Sequence, residues 1–260
     1  MNGEERKSLA DAVYPIILEA REAVLKVYRS GHFHTEEKSD HSPVTAADRA
    51  SHKILSEGLR QLFADVPVVS EEAQEEPLPL GDGARYWLVD PLDGTKEFIR
   101  QTGEFTINVG LVDRSGRPIW GLVDVPLSGR TYVGGGGGAF VRETSGDTPL
   151  DPLKPAMPGQ GAVVALSRSH QGAADDWLRT HHIAVKRLVY AGSAVKFCWA
   201  AEGRVDLYVR LRPTMGWDTA AGQAVLESVG GSVHTMEGVP LTYEPAARVN
   251  PFFVAGRPGF

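Results

Sequence analysis

The sequence predicts an α/β protein assembled from two successive halves. Apolar residues near the N-terminus recur at helical spacing, then give way to short β-branched runs. Beyond a Pro/Gly-rich stretch, strand and helix patterns alternate. A length of 260 residues suffices for one large unit or two smaller ones sharing a continuous core. Residues 1–150 are read as an N-terminal α+β half and residues 151–260 as a C-terminal α/β half.

Leu9, Val13, Ile16, Ile17, Ala20 and Val24 repeat as one face of an amphipathic first helix. Thr45 followed by Asp48 has the pattern of a capping box, and Ile54, Leu55, Leu59, Leu62 and Phe63 mark the helix behind it. The period then shortens. Residues 66–69 and 86–89 read as buried strands, with further strands at 105–112, 118–125 and 131–133. Glycines fill positions 134–138. A phosphate-cradling loop of the Walker type ends in Gly-Lys-Ser/Thr, whereas Ala139, Phe140 and Val141 follow here, so a flexible turn between strands is expected. Residues 144–161 are rich in Pro, Gly and polar side chains and read as the connection between halves. The second half predicts strand 162–166, helix 173–181, strand 185–190, helix 193–202, strand 205–209 and helix 219–229. Strands near 232–234 and 252–255 complete it, and no internal repeat is evident.

The formal net charge of -6 argues against a nucleic-acid polymer as partner, since such proteins carry a basic face. Small anionic substrates stay open, because bound metal ions reverse a local field. Cys198 is the single cysteine, so no internal disulfide forms and a reducing compartment is expected; its apolar neighbours read as core. The charged N-terminus leads into no apolar signal region and no apolar run spans a membrane, which makes a cytoplasmic protein the expectation. Peripheral membrane association and a homodimer are compatible with the same sequence. His32, His34, His181 and His182 lie in polar stretches and lack the paired spacing of a zinc site.

Acidic residues stand where strands run out: Glu71 after 68–70, Asp90 and Asp93 after 86–89, and Asp218 at the opening of a late helix. Taken singly, each reads as a cap. The run Asp90-Pro91-Leu92-Asp93-Gly94-Thr95 is harder to read that way. Pro91 biases Asp90 to an extended conformation, and a tight turn then brings Asp90, the Leu92 carbonyl and Asp93 toward one point. Gly94 admits close approach of a ligand, and Thr95 begins what reads as the first turn of a helix, whose N–H groups suit an anion. Oxygen ligands beside a phosphate-sized anion site suit Mg²⁺.

This run, together with residues 43–48, 70–72, 87–98, 103–106 and 217–222, closely resembles the inositol monophosphatase superfamily of magnesium-dependent, lithium-sensitive phosphatases. The resemblance covers nearly the whole chain, with the motifs in family order. It implies a layered αβαβα sandwich of the sugar-phosphatase type. It also implies two to three Mg²⁺ ions, one held by Glu71, Asp90 and the Leu92 carbonyl, one by Asp90, Asp93 and Asp218, and a weaker one near Glu71. Asp48, Glu71 and Thr95 are implied as catalytic, Thr95 with Asp48 positioning the attacking water. The N–H groups of Gly94 and Thr95 are implied to bind phosphate, with Asp93 and Asp218 bordering the substrate.

Finer features resemble the bacterial 3'(2'),5'-bisphosphate nucleotidase branch: Lys96-Glu97, residues 103–108, 167–170, 192–198 and 206–210. That branch implies hydrolysis of 3'-phosphoadenosine 5'-phosphate to AMP and phosphate. A nucleoside bisphosphate carries a second phosphate that needs cations, for which Lys196 and Arg210 are expected, with Ser193 adding a hydroxyl and His170 flanking the nucleoside. Val209 stands where proline is common in the branch and Gly216 where glutamate is common. Neither removes a metal ligand; both weaken the substrate assignment. An inositol or sugar monophosphatase is the alternative within the superfamily, and a non-catalytic phosphate-binding protein the alternative outside it. Six retained polar residues, Asp48, Glu71, Asp90, Asp93, Thr95 and Asp218, speak against the latter, since clustered carboxylates repel without metal.

Overall fold

A computed structural model describes residues 1–38, 43–73, 85–157, 159–168, 173–244 and 249–259. Helix α1 (Gly3–Ser30) starts earlier than its apolar stripe because Asn2 caps it in a box with Glu5; it stops at Gly31, whose φ is 67°. A short pair, β1 (Glu36–Glu37) and β2 (Pro43–Val44), precedes α2 (Ala46–Leu62), which opens on the expected Thr45–Asp48 box. Then come β3 (Val68–Ser70), β4 (Tyr86–Asp93), α3 (Thr95–Ile99), β5 (Thr106–Val112), β6 (Pro118–Val125), β7 (Arg130–Gly135), β8 (Ala139–Glu143) and β9 (Gly146–Pro149). These strands form one sheet in chain order, with β3 parallel to β4 and every later neighbour antiparallel.

The second half supplies β10 (Ala162–Ser167), α4 (Ala173–Thr180), β11 (Val185–Ala191), α5 (Val195–Ala201), β12 (Leu207–Arg210), β13 (Thr214–Met215), α6 (Gly216–Ser228), β14 (Ser232–Thr235), β15 (Val249–Asn250) and β16 (Phe253–Gly256). Five of its strands form a sheet in the order β11-β10-β12-β16-β14, while β13 pairs with β15.

The layers follow from which face each strand buries. In β4, Tyr86 and Leu88 join a core with α5, α6 and the second sheet, whereas Trp87 and Val89 face α1 and α2. This is the two-residue alternation of a strand covered on both sides. Leu178 of α4 packs with Val164, Leu207 and Val209 on the outer face of the five-stranded sheet. The stack is therefore α1/α2, seven-stranded sheet, α5/α6, five-stranded sheet, α4: a layered α/β sandwich. Cys198 lies fully buried in the central core shared by both halves. No described helix is long and apolar enough to cross a membrane.

Several details differ from the sequence reading, three of them as follows. Residues 146–149 form an edge strand of the first sheet, so the connection between halves begins after Pro149. Helix α6 starts at Gly216, because Asp218 accepts the Met215 N–H at 2.9 Å and so sits inside the first turn. Within the glycine run, Gly134 and Gly135 belong to β7 and the turn is confined to the residues after them. Gly134 has a packing reason: a Cβ there would lie 2.4 Å from the Val225 Cα of α6.

Candidate active site

The carboxylates meet where β3 and β4 end beneath the start of α6. Parallel pairing sets Ser70 beside Val89, and the Glu71 N–H donates to the Val89 carbonyl at 3.1 Å, which brings Glu71 next to Asp90. The expected turn after Pro91 is instead a bulge within β4. Asp90 pairs with Asn108 and Asp93 with Thr106, so β4 spends one extra residue between the two aspartates. Asp90 accepts the Leu92 N–H at 3.0 Å, and Ser51 of α2 donates to the Pro91 carbonyl at 2.8 Å, which anchors the bulge to the outer helix layer. Gly94 takes a φ of 90° between bulge and α3; an L side chain there would stand 2.8 Å from the Glu104 carbonyl.

Burial dominates the electrostatics. It raises the proton affinity of Asp90 well above the carboxylate range, and Glu71, Asp93 and Asp218 push the same way. Asp218 is pushed up to about 8 by burial and then by Asp93 and Glu71. Burial likewise lifts Asp93 to about 6, against the Lys196 charge and the Ala194 N–H, which donates to its Oδ2 at 2.6 Å. Asp90, Asp93, Asp218 and Glu71 thus act on one another, and the cations near them, Lys196 on Asp93 and Arg210 on Asp218, do not cancel the combined effect of burial and mutual repulsion. A site that gathers buried oxygen donors and penalises their ionisation fits a divalent cation of the Mg²⁺ type. Among the described residues no three acidic, imidazole or thiol groups are closed on a single point as they stand. Lys38 is bound to both Glu71, at 2.9 Å, and Glu72. Burial pulls its proton affinity down, and the two glutamates more than reverse that.

Asp48 accepts from the Thr45 N–H at 2.8 Å, from the Thr45 hydroxyl, and lies 3.3 Å from Thr95 Oγ1. The Thr95 hydroxyl is also 3.3 Å from the Leu92 carbonyl, so its single proton has two acceptors within reach. Burial raises the Asp48 proton affinity, partly offset by Thr45.

The second half contributes the loop between β11 and α5. Ser193 has a φ of 47°, and Ala194 reaches Asp93 as described. Arg210 donates to Ser167 Oγ and to the carbonyls of Arg212 and Pro213, both at 3.2 Å, and its charge acts on Asp218 and Lys196. Lys196, expected to meet a second phosphate, is buried, and its ammonium donates to the carbonyls of Ala191, Gly192 and Ser193. His170 lies outside the described residues. The sequence reading passed over Lys38, Asn108 (3.3 Å from Asp93) and Glu104, which accepts from Arg168 and from the Gly192 N–H at 3.1 Å. Glu104 and Arg168 lie in segments that carry the resemblance, but sequence spacing carries no sign of a pair 64 residues apart.

A core of two sheets around α5 and α6, with buried carboxylates at the junction, defines the class. The chain matches the inositol monophosphatase family over residues 5–250 and belongs to it. It is 41% identical to the 3'(2'),5'-bisphosphate nucleotidase CysQ of Escherichia coli (strain K12) over 249 residues, covering 94% of this chain and 98% of that relative. The crystal structure of CysQ from Bacteroides thetaiotaomicron superposes with a TM-score of 0.79 at 33% identity, covering 96% and 97% of the two chains. Inositol monophosphatase II from Staphylococcus aureus superposes with a TM-score of 0.78 at 21% identity over 97% of this chain and 90% of that one, a likeness of fold.

Proposed function

We propose that the chain is a Mg²⁺-dependent phosphatase that hydrolyses the 3'-phosphate of adenosine 3',5'-bisphosphate to AMP and phosphate. The Glu71–Asp90–Asp93–Asp218 cluster, with Asp90 fully buried, carries the reading, in a chain similar almost end to end to bisphosphate nucleotidases. Glu71, Asp90 and the Leu92 carbonyl would hold one ion, and Asp90, Asp93 and Asp218 another, with a third, weaker ion near Glu71. Bound there, Mg²⁺ supplies water activation and stabilisation of charge on the transferred phosphoryl group.

The chain's own groups do the rest. Thr95 Oγ1 accepts a hydrogen bond from the attacking water while passing its own proton toward Asp48, which its surroundings keep basic. The N–H groups of Gly94 and Thr95 bind the phosphate to be cleaved. Ser193, His170 and Arg210 are assigned to the nucleoside and its second phosphate. Lys196 and Arg210 are the cations assigned to that phosphate; in the structure both donate to backbone carbonyls. Lithium inhibition and a cytoplasmic setting, consistent with one buried cysteine, belong to the same reading.

Phosphate release with Mg²⁺ from adenosine 3',5'-bisphosphate and from inositol 1-phosphate, compared as kcat/KM, tests it. A preference of at least tenfold for the nucleotide is expected. The reverse preference would leave the metal site standing and replace the substrate with a sugar phosphate.

A further inference from the structure

One carboxylate of the first half reaches two segments of the second beside the site. Glu104 lies in the connection between α3 and β5. Its Oε2 accepts from Arg168 Nε and from the Gly192 N–H, each at 3.1 Å, while its Oε1 accepts from Arg168 Nη2. The guanidinium donates in addition to the Tyr190 carbonyl at 3.1 Å, and the Arg168 N–H to the Ala191 carbonyl at 3.4 Å. Arg168 directly follows β10, and Gly192 directly follows β11. Glu104 thus ties the ends of two neighbouring strands to the half that carries Asp90 and Asp93.

The planar fork of an arginine matches a carboxylate and fixes its orientation. The Arg168 side chain is 42% exposed, and an ion pair so open to water adds little to overall stability. Its effect is local. Gly192 is buried, and a buried N–H needs an acceptor, which the oriented Glu104 carboxylate supplies. Ser193, next in the chain, takes a φ of 47°, a region where an L side chain crowds its own backbone and which has to be imposed by its surroundings. The result places Ser193 against the turn proposed to bind the reacting phosphate. The point where a Cβ on Gly94 would stand is 3.3 Å from Ser193 Cβ and 2.8 Å from the Glu104 carbonyl oxygen. Glu104 therefore backs Gly94 with its carbonyl and the Ser193 turn with its carboxylate. Gly192 fits between them because it lacks a side chain: a Cβ there would meet the Glu104 carbonyl at 2.9 Å and Glu97 Cγ at 2.6 Å.

We propose that Glu104 and Arg168 are positioning residues for the nucleoside side of the substrate. Arg168 orients the Glu104 carboxylate, the carboxylate fixes the Gly192 N–H, and the fixed turn sets the Ser193 hydroxyl at its distance from Gly94. The proposal rests on the nucleotidase reading for its substrate but not for its structural readout.

The test compares Glu104→Ala, Glu104→Gln and the charge-exchanged double variant Glu104→Arg/Arg168→Glu with wild type. It measures kcat and KM on adenosine 3',5'-bisphosphate, and amide hydrogen exchange by NMR in the metal-free protein. Glu104→Ala is expected to raise KM at least tenfold with kcat within threefold, because Ala194 still donates to Asp93 and the metal-binding carboxylates are untouched. Exchange at Gly192 becomes at least tenfold faster, with β5 and β6 unchanged. Glu104→Gln keeps an oxygen for the Gly192 N–H, so its exchange stays within threefold of wild type and its KM lies between the two. The double variant restores an ion pair but gives Gly192 no acceptor, since arginine has none, and it keeps both defects of Glu104→Ala. Wild-type KM in the double variant overturns the proposal, because a plain ion pair between the halves would then suffice. A loss confined to kcat, or unaltered Gly192 exchange in Glu104→Ala, overturns it as well. If Glu104→Ala does not fold, Arg168→Met decides: it leaves the acceptor present but unoriented, and a KM less than threefold above wild type refutes the positioning role. If wild type does not cleave the bisphosphate, the substrate reading fails, while Gly192 exchange in the same variants still decides the hold on the turn.

Discussion

Replacing Gly121 with alanine tests how Asp218 is brought to the other carboxylates. Helix α6 lies against the seven-stranded sheet where glycines leave room for its backbone. A Cβ at Gly121 would stand 2.2 Å from the Ala221 carbonyl oxygen, and one at Gly134 would stand 2.4 Å from the Val225 Cα. Ordinary contact begins near 3.4 Å, so the methyl group at position 121 is about 1.2 Å too close to a backbone atom that cannot rotate aside. The helix must retreat by roughly that amount, and Asp218, one turn earlier, moves with it. Overpacking of this kind costs about 1–3 kcal/mol. For a chain of this size that is a fall in Tm of roughly 2–12 °C. Displacing a catalytic group by ~1 Å costs on the order of 10²-fold in rate. The assay is kcat at saturating Mg²⁺, with Mg²⁺ affinity by calorimetry and Tm by scanning calorimetry. Gly137→Ala is the control: its φ of 75° strains the turn, yet nothing lies within 4 Å, so Tm drops while kcat holds. If Gly121→Ala keeps kcat and Mg²⁺ affinity within twofold of wild type, the packing does not position Asp218.

Asp90→Asn should lower kcat by roughly 10³-fold or more at saturating Mg²⁺, because the lost ligand serves both proposed ions and charge stabilisation by metal is worth several kcal/mol; near-normal phosphate release would refute that. In the metal-free protein, Asp93 (about 6) and Asp218 (about 8) bind protons more tightly folded than unfolded. Their stabilising contribution is complete below pH ~4 and lost as pH rises through 6 to 8. Tm in EDTA should therefore fall between pH 5 and pH 9, and the fall should vanish with Mg²⁺; a flat or rising Tm in EDTA contradicts the sign. Lys38→Gln frees Glu71 and Glu72 from their bound ammonium, so Mg²⁺ should bind more tightly by calorimetry, and weaker binding would show that Lys38 helps rather than competes.

Much of the architecture was legible in local pattern. The stripe from Leu9 to Val24, the Thr45–Asp48 box and the alternating apolar runs placed the helices and most strands, because hydrophobic period and capping act within a few residues. Part of the proposed site could be picked out for a similar reason: Asp90, Leu92 and Asp93, proposed for metal, and Gly94 and Thr95, proposed for phosphate, are consecutive or nearly so, and their chemistry is written in one segment. Residues 146–149 read as linker because Gly146, Asp147 and Pro149 carry no strand propensity; β8 recruits them as an exposed edge strand, a tertiary effect.

The sequence by itself determined which groups are available: an oxygen-rich donor set, a polar Asp48–Thr95 pair and two cations of the second half. The tertiary structure decided what each group faces. The glycines beneath α6 and the hold of Ala194 on Asp93 depend on contacts between residues about 90 to 100 positions apart, and even the bulge in β4 needs β5 and Ser51 of α2, the latter 40 residues away. Residue type says that a lysine carries a charge. Only the folded chain shows that the Lys196 ammonium faces three backbone carbonyls.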